Sequence, residues 1–161
     1  MDPLNKRKKK IKKFLWPTLL ILILGGGILI GVRFMAQKPT LPESKILSRN
    51  GLHWHPHLTI KILNENIEIP AGIGLGITEQ YIHTHETDGI VHIEFPGLVR
   101  ESDLRLWRFF EIWGKKFNKD CIFENCNNSE RKLKMLVNGK ENFEFENYIM
   151  RNGDKIEIIF E

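Results

Sequence analysis

What most constrains this chain is a run of 19 uncharged residues, Phe14 to Val32, lying directly behind a basic tail. Residues 1–13 carry seven Lys/Arg and one acid, a net of +6. The other 148 residues carry 17 basic and 19 acidic side chains, a net of −2. As a helix the run spans roughly 30 Å, the thickness of a bilayer's hydrocarbon core. The positive-inside rule then predicts a cytoplasmic tail at 1–13, a transmembrane anchor at 14–35 with the lipid bilayer as its partner, and an extracytoplasmic remainder. This is the expectation of a single-pass protein of the cytoplasmic membrane with its N-terminus inside. A cleaved signal peptide shares the basic start, but its apolar core is usually shorter, and no A-x-A-like site appears near Arg33–Gln37.

Divided in this way, the formal net charge of +4 belongs to the tail. The body lacks the basic footprint that nucleic-acid binding needs, so no nucleic-acid partner is expected. Residues 36–50 hold two prolines and no periodicity, which predicts an extended linker. The remaining residues, 51–161, suffice for one small domain.

That domain carries strand patterns. His57–Leu63 alternates Leu58, Ile60 and Ile62 with His57, Thr59 and Lys61, which predicts a half-buried strand turning at Asn64–Asn66 into Ile67–Ile69. The loop bearing Gly72, Gly74 and Gly76 lacks the Lys and helix start of a phosphate-binding loop and reads as a plain connection. Tyr81–Glu86 and Ile90–Phe95 flank Asp88-Gly89 as a hairpin. A helix is expected from Ser102 or Asp103 to Trp113, with Gly114 as its stop. Strands follow at Lys132–Val137 and Lys155–Phe160. The expected class is α+β, one main helix on one face of a small mixed sheet.

All six histidines fall between residues 53 and 92: His53, His55, His57, His83, His85 and His92. Alternate residues of a strand share a face, so His53, His55 and His57 can point one way, as can His83 and His85. A two-residue type I′ turn at Asp88-Gly89 sets Thr87 opposite Ile90, His85 opposite His92 and His83 opposite Glu94. Directly opposed Cβ atoms lie roughly 4.5–5.5 Å apart, close enough for imidazoles to share an ion. Neutral imidazole suits Zn²⁺, Cu²⁺, Ni²⁺ and Fe²⁺. The candidate metal ligands are His83, His85 and His92, with His55, His57 or Glu94 completing the shell. A metal-free structural or hydrogen-bonding cluster is the alternative, and any single His is ordinarily of that kind. Cys121 and Cys126 are the only cysteines, and their C-x4-C spacing predicts a disulfide, with a thiolate pair for metal as the other possibility.

The stretches VNGK (137–140) and GDKIEI (153–158) resemble the closing strands of β-grasp (ubiquitin-like) domains, a resemblance that implies fold and leaves function open. More broadly, the His-x-His-x-His-Leu string, the IPAGIG segment (69–74), the HTHETDGIVHIE core (83–94), the FFEIWGKKF helix (109–117), C-x4-C and the closing VNGK…GDKIEI together resemble a largely uncharacterised family of prokaryotic proteins. Its members look like single-pass, membrane-anchored extracytoplasmic proteins, so the resemblance implies location and the unity of residues 51–161. Glu86 stands where that family often has Asp.

Three functions are compatible with these patterns. The first is an anchored extracytoplasmic metal-binding protein for copper or zinc binding, buffering or delivery. The second is a non-enzymatic interaction module for a membrane-protein partner. The third is a small metalloenzyme with Glu86, Asp88 or Glu94 as general base, which no HExxH helix or nucleophile constellation supports.

Overall fold

Alternating apolar side chains and tight turns divide the chain into many short strands. A computed structural model describes residues 45–161. In chain order the strands are β1 (Ile46–Ser48), β2 (Leu52–Trp54), β3 (His57–Ile62), β4 (Glu65–Ile67), β5 (Ile82–His83), β6 (His92–Phe95) and β7 (Val99–Arg100). The helix α1 (Leu106–Trp113) follows. After it come β8 (Phe117–Asn118), β9 (Cys121–Ile122), β10 (Asn125–Cys126), β11 (Leu133–Val137), β12 (Lys140–Glu141) and β13 (Lys155–Phe160). Ile46–Ser48, inside the stretch expected as linker, is a strand paired with β7.

These strands form four sheets. The largest has the order β12-β11-β13-β3-β4, and its centre is a parallel pair between β13 and β3. Both strands alternate as the sequence predicts: Leu58, Ile60, Ile156, Ile158 and Phe160 are buried, whereas His57, Lys155 and Glu157 are not. The β3–β4 turn uses Leu63 and Asn64, both at positive φ, one residue earlier than expected. Asn138-Gly139 turns β11 into β12 with both residues at positive φ, the type I′ signature.

The expected fold class is corrected. The described residues form a mostly-β domain of four small sheets with one eight-residue helix, rather than one mixed sheet backed by a longer helix. Two local causes account for the difference. Arg105 is extended (φ −69°, ψ 139°) and bridges to Ile149, so the predicted helix splits into a 3₁₀ turn, Glu101–Leu104, and α1. The Asp88-Gly89 loop is recruited by β3 and does not close a hairpin, as described below.

The expected placement is corrected as well. Among the described residues no helix is long and apolar enough to cross a membrane. The tail at 1–13, the anchor at 14–35 and most of the linker lie outside the described residues.

Residues from every large element form one buried cluster, including Leu58, Ile60, Ile93, Phe109, Phe110, Met135 and Ile158. Leu106, Phe109 and Phe110 form the inward stripe of α1, and Gly114 ends it in the left-handed conformation at φ 70°. The helix touches β5 and β8. It therefore backs the small sheet β2-β6-β5 that carries the histidines.

Candidate metal centre

In the sheet β2-β6-β5 the central strand pairs Ile93 with both Trp54 and Ile82. Ile82 and Ile93 are buried, and Val91, just before the strand, is as well. The opposite face carries the residues in between. His92 lies opposite His83, and Glu94 lies opposite His53. The register is two residues away from the expected one, in which His85 faced His92 and His83 faced Glu94. A two-residue slip preserves the parity of the pleat, so the histidines stay on one face.

The cause of the slip is the Asp88-Gly89 loop. Asp88 Oδ1 accepts the Ile90 N–H at 2.9 Å, and Gly89 sits at φ +81°. A side chain at Gly89 would approach the Leu58 carbonyl oxygen to 2.5 Å, so only Gly lets the loop lie against β3. Once there, the Gly89 carbonyl accepts the Leu58 N–H (2.8 Å) and Val91 N–H donates to the Pro56 carbonyl (2.9 Å). Ile90 bridges to His57 and so does not pair with Thr87.

Five of the six imidazoles form a continuous row, which folds back at one end where the His83 ring stacks on His92 at 5.5 Å. Ring centroids are 4.6 Å apart for His53–His55, 4.7 Å for His55–His92, 4.5 Å for His92–His85 and 4.7 Å for His85–His83. Nitrogens meet at both ends: His53 Nε2 is 3.0 Å from His55 Nε2, and His83 Nε2 is 3.1 Å from His85 Nε2. Glu94 Oε1 lies 3.1 Å from His53 Nε2 and 3.5 Å from His92 Nδ1. Two overlapping ligand sets result, His53-His55-His92-Glu94 and His83-His85-His92-Glu94, each with four donor atoms within 4.8 Å of one another.

The structure thus brings together His83, His85, His92, His55 and Glu94, and it adds His53, which the sequence places in the histidine cluster but not in the expected shell. His57 stands in neither set. The break is at Pro56: there the chain passes from β2 to β3, and the period-two face does not continue through it. Glu86 and Asp88 are exposed loop residues, and the Asp88 carboxylate is engaged in its own turn.

The loop read as a plain connection turns out to position one end of the row. Gly74 sits at φ +78°, where a Cβ would meet the Ile82 carbonyl oxygen at 2.7 Å and His83 Cβ at 3.1 Å. Its carbonyl accepts the Gln80 N–H (2.9 Å), and the Gln80 carbonyl in turn accepts from His83 Nδ1 (2.9 Å). A proton on Nδ1 leaves the Nε2 lone pair free, which is how a backbone carbonyl prepares a histidine for a metal. His83 Nε2 also lies 3.7 Å from Glu79 Oε1. Between the two histidines, Thr84 is fully buried: its hydroxyl donates to the Pro70 carbonyl (2.7 Å) and accepts the Ile73 N–H (3.1 Å).

His92 has two unusual properties. Its Nδ1 is buried without a hydrogen-bond partner, which in a native interior calls for an explanation such as a bound ion. Burial pushes its pKa down from the ordinary histidine range, His85, His55 and His83 push the same way, and Glu94 opposes them. A neutral imidazole is the form that binds metal.

The expected disulfide is present. Cys121 and Cys126 are bonded across the β9–β10 pair. Neither sulfur belongs to a ligand set. Compared with family models, curated proteins and solved structures, the chain finds no match.

Proposed function

We propose that this domain is a metal-binding protein whose histidine face takes a divalent transition metal, Cu²⁺ or Zn²⁺, for binding, buffering or delivery. One observation carries the reading. Two sets of four donor atoms, each within 4.8 Å, converge on a histidine whose buried nitrogen has no hydrogen-bond partner.

Donor chemistry supports the choice of ion. The sets contain imidazole and carboxylate and no sulfur, a combination that suits Cu²⁺ and Zn²⁺ better than the soft Cu⁺. Exposure supports exchange with a partner. The side chain of His53 is 63% exposed and that of Glu94 39%, so a bound ion remains within reach of solvent and of a competing ligand.

The test is direct. The full chain, loaded with Zn²⁺ or Cu²⁺ and desalted, retains at least one equivalent by elemental analysis, and the double variant His92→Ala/Glu94→Ala retains much less. Failure of the unaltered chain to retain any stoichiometric metal sinks the reading.

A further inference from the structure

Six donors exceed what one four-coordinate ion uses, and their distribution is not random. His53 and His55 lie at one end of the row, His83 and His85 at the other, and His92 lies between them at nearly equal ring distances, 4.7 Å from His55 and 4.5 Å from His85. The two ligand sets share only His92 and Glu94. Both shared residues have chemistry for two ions at once: an imidazole has two nitrogens and a carboxylate has two oxygens.

From this we infer that the face holds two divalent transition-metal ions side by side, one on His53 and His55, the other on His83 and His85, with His92 and Glu94 as ligands shared between them. This rests on the metal-binding reading above and adds to it a stoichiometry and a bridge. Each ion then has four protein donors, the full complement of a tetrahedral site. Bridging through both ring nitrogens requires His92 to give up its ring N–H proton to solvent as the second ion binds. Nδ1 makes no hydrogen bond, and Glu94 Oε1, itself one of the shared ligands, stands 3.5 Å from it. The negative charge of Glu94, and of a deprotonated His92, offsets the repulsion between two dications.

The two ends differ in how they are held, and the difference has a consequence for loading. His83 is buried and its tautomer is set by Gln80, whereas His53 and His55 are exposed. The His83–His85 site fills first and the His53–His55 site second.

The experiment uses the full chain, titrated with Zn²⁺ for stoichiometry and with Cu²⁺ for electron paramagnetic resonance. The expected result is two equivalents of metal and, at two Cu²⁺ per chain, a broadened, spin-coupled spectrum. The exposed-residue variants His53→Ala/His55→Ala and His85→Ala each drop to one equivalent and give an uncoupled spectrum, with circular dichroism confirming the fold. One equivalent in the unaltered chain overturns the two-ion inference and leaves the metal-binding reading standing. Two equivalents without coupling overturn the shared ligands. No retained metal overturns both.

Discussion

His83 and His53 stand at opposite ends of one row of imidazoles and are held in opposite ways. The His83 side chain is 1% exposed, wedged under the Gly72–Gly76 loop, with its Nδ1 proton assigned to the Gln80 carbonyl. The His53 side chain is 63% exposed, and its nitrogen meets His55 and Glu94, both of them ligand candidates themselves. One end is preorganised by buried backbone, the other by the ligands' own contacts. A preorganised ligand loses less freedom on binding, so on the proposed metal-binding reading the buried end would hold an ion more tightly than the open end.

The most disruptive way to break that difference is Gly74→Ala. The new Cβ would face the Ile82 carbonyl oxygen at 2.7 Å from a left-handed backbone, with His83 Cβ at 3.1 Å. Left-handed strain and overlap together cost about 3 kcal/mol. Denaturant midpoints should show that loss, and NMR shifts of the His83 and His85 rings should move while those of His53 and His55 stay put.

A smaller loss is expected from Thr84→Val. The substitution keeps the shape and removes the hydroxyl, leaving the buried Ile73 N–H and the part-buried Pro70 carbonyl without their partner. That costs about 2 kcal/mol. Metal affinity at the His83–His85 end should weaken with it, and an unchanged affinity in a folded variant would show that the clamp does not position these ligands.

At the open end, Asn152→Ala is the counterpart. Asn152 Oδ1 accepts the His55 N–H at 2.9 Å in an exposed setting, where water can replace it. The stability change should not exceed about 1 kcal/mol. Its sharper readout is metal binding at His53 and His55, which should weaken while the other end is untouched.

The two ends also differ in how far the sequence discloses them. Alternation puts His92 beside Glu94 on the face opposite Ile93, and this is legible because side-chain direction in a strand depends only on parity. The pairing across strands is less legible. Asp88-Gly89 is a strong hairpin signal, yet its hydrogen bonds go to Pro56 and Leu58 of a distant segment, a tertiary contact no local motif encodes. The same limit hides the Gly74 clamp. Its purpose is visible only once Ile82 and His83 lie 2.7 Å and 3.1 Å from where its side chain would be. Pro56 is the one missed signal that was available, since a proline inside His-x-His-Pro-His argues against three histidines on one continuous strand. The short helix is a similar case, because Arg105 breaks it through a bridge to Ile149 rather than through any breaker residue.

A last expectation concerns the support beneath the open end. The His55 carbonyl accepts the Gly153 N–H, and His57 N–H donates to the Asp154 carbonyl (2.7 Å), so the turn at 151–154 braces the chain around His55. That turn is tied to buried Asp154, whose Oδ2 accepts from the Tyr148 hydroxyl (2.7 Å) and the Arg151 N–H (2.8 Å). Burial raises the Tyr148 pKa well above its ordinary value of 10, and the hydrogen bond to Asp154 adds to the rise. Below pH 10 both folded and unfolded chains keep this proton, and its contribution to stability is fully present. Above pH 10 the unfolded chain releases the proton first, so the contribution falls as pH rises toward the folded value. The stability difference between the unaltered chain and Tyr148→Phe should therefore be constant from pH 8 to about 9.5 and shrink above about 10. The variant lacks this titration, while the lysines and the other tyrosine titrate in both proteins and cancel. A difference that stays constant to pH 11.5 would mean that Tyr148 ionises as freely in the folded chain as in the unfolded one, and that the brace under His55 does not depend on its hydroxyl.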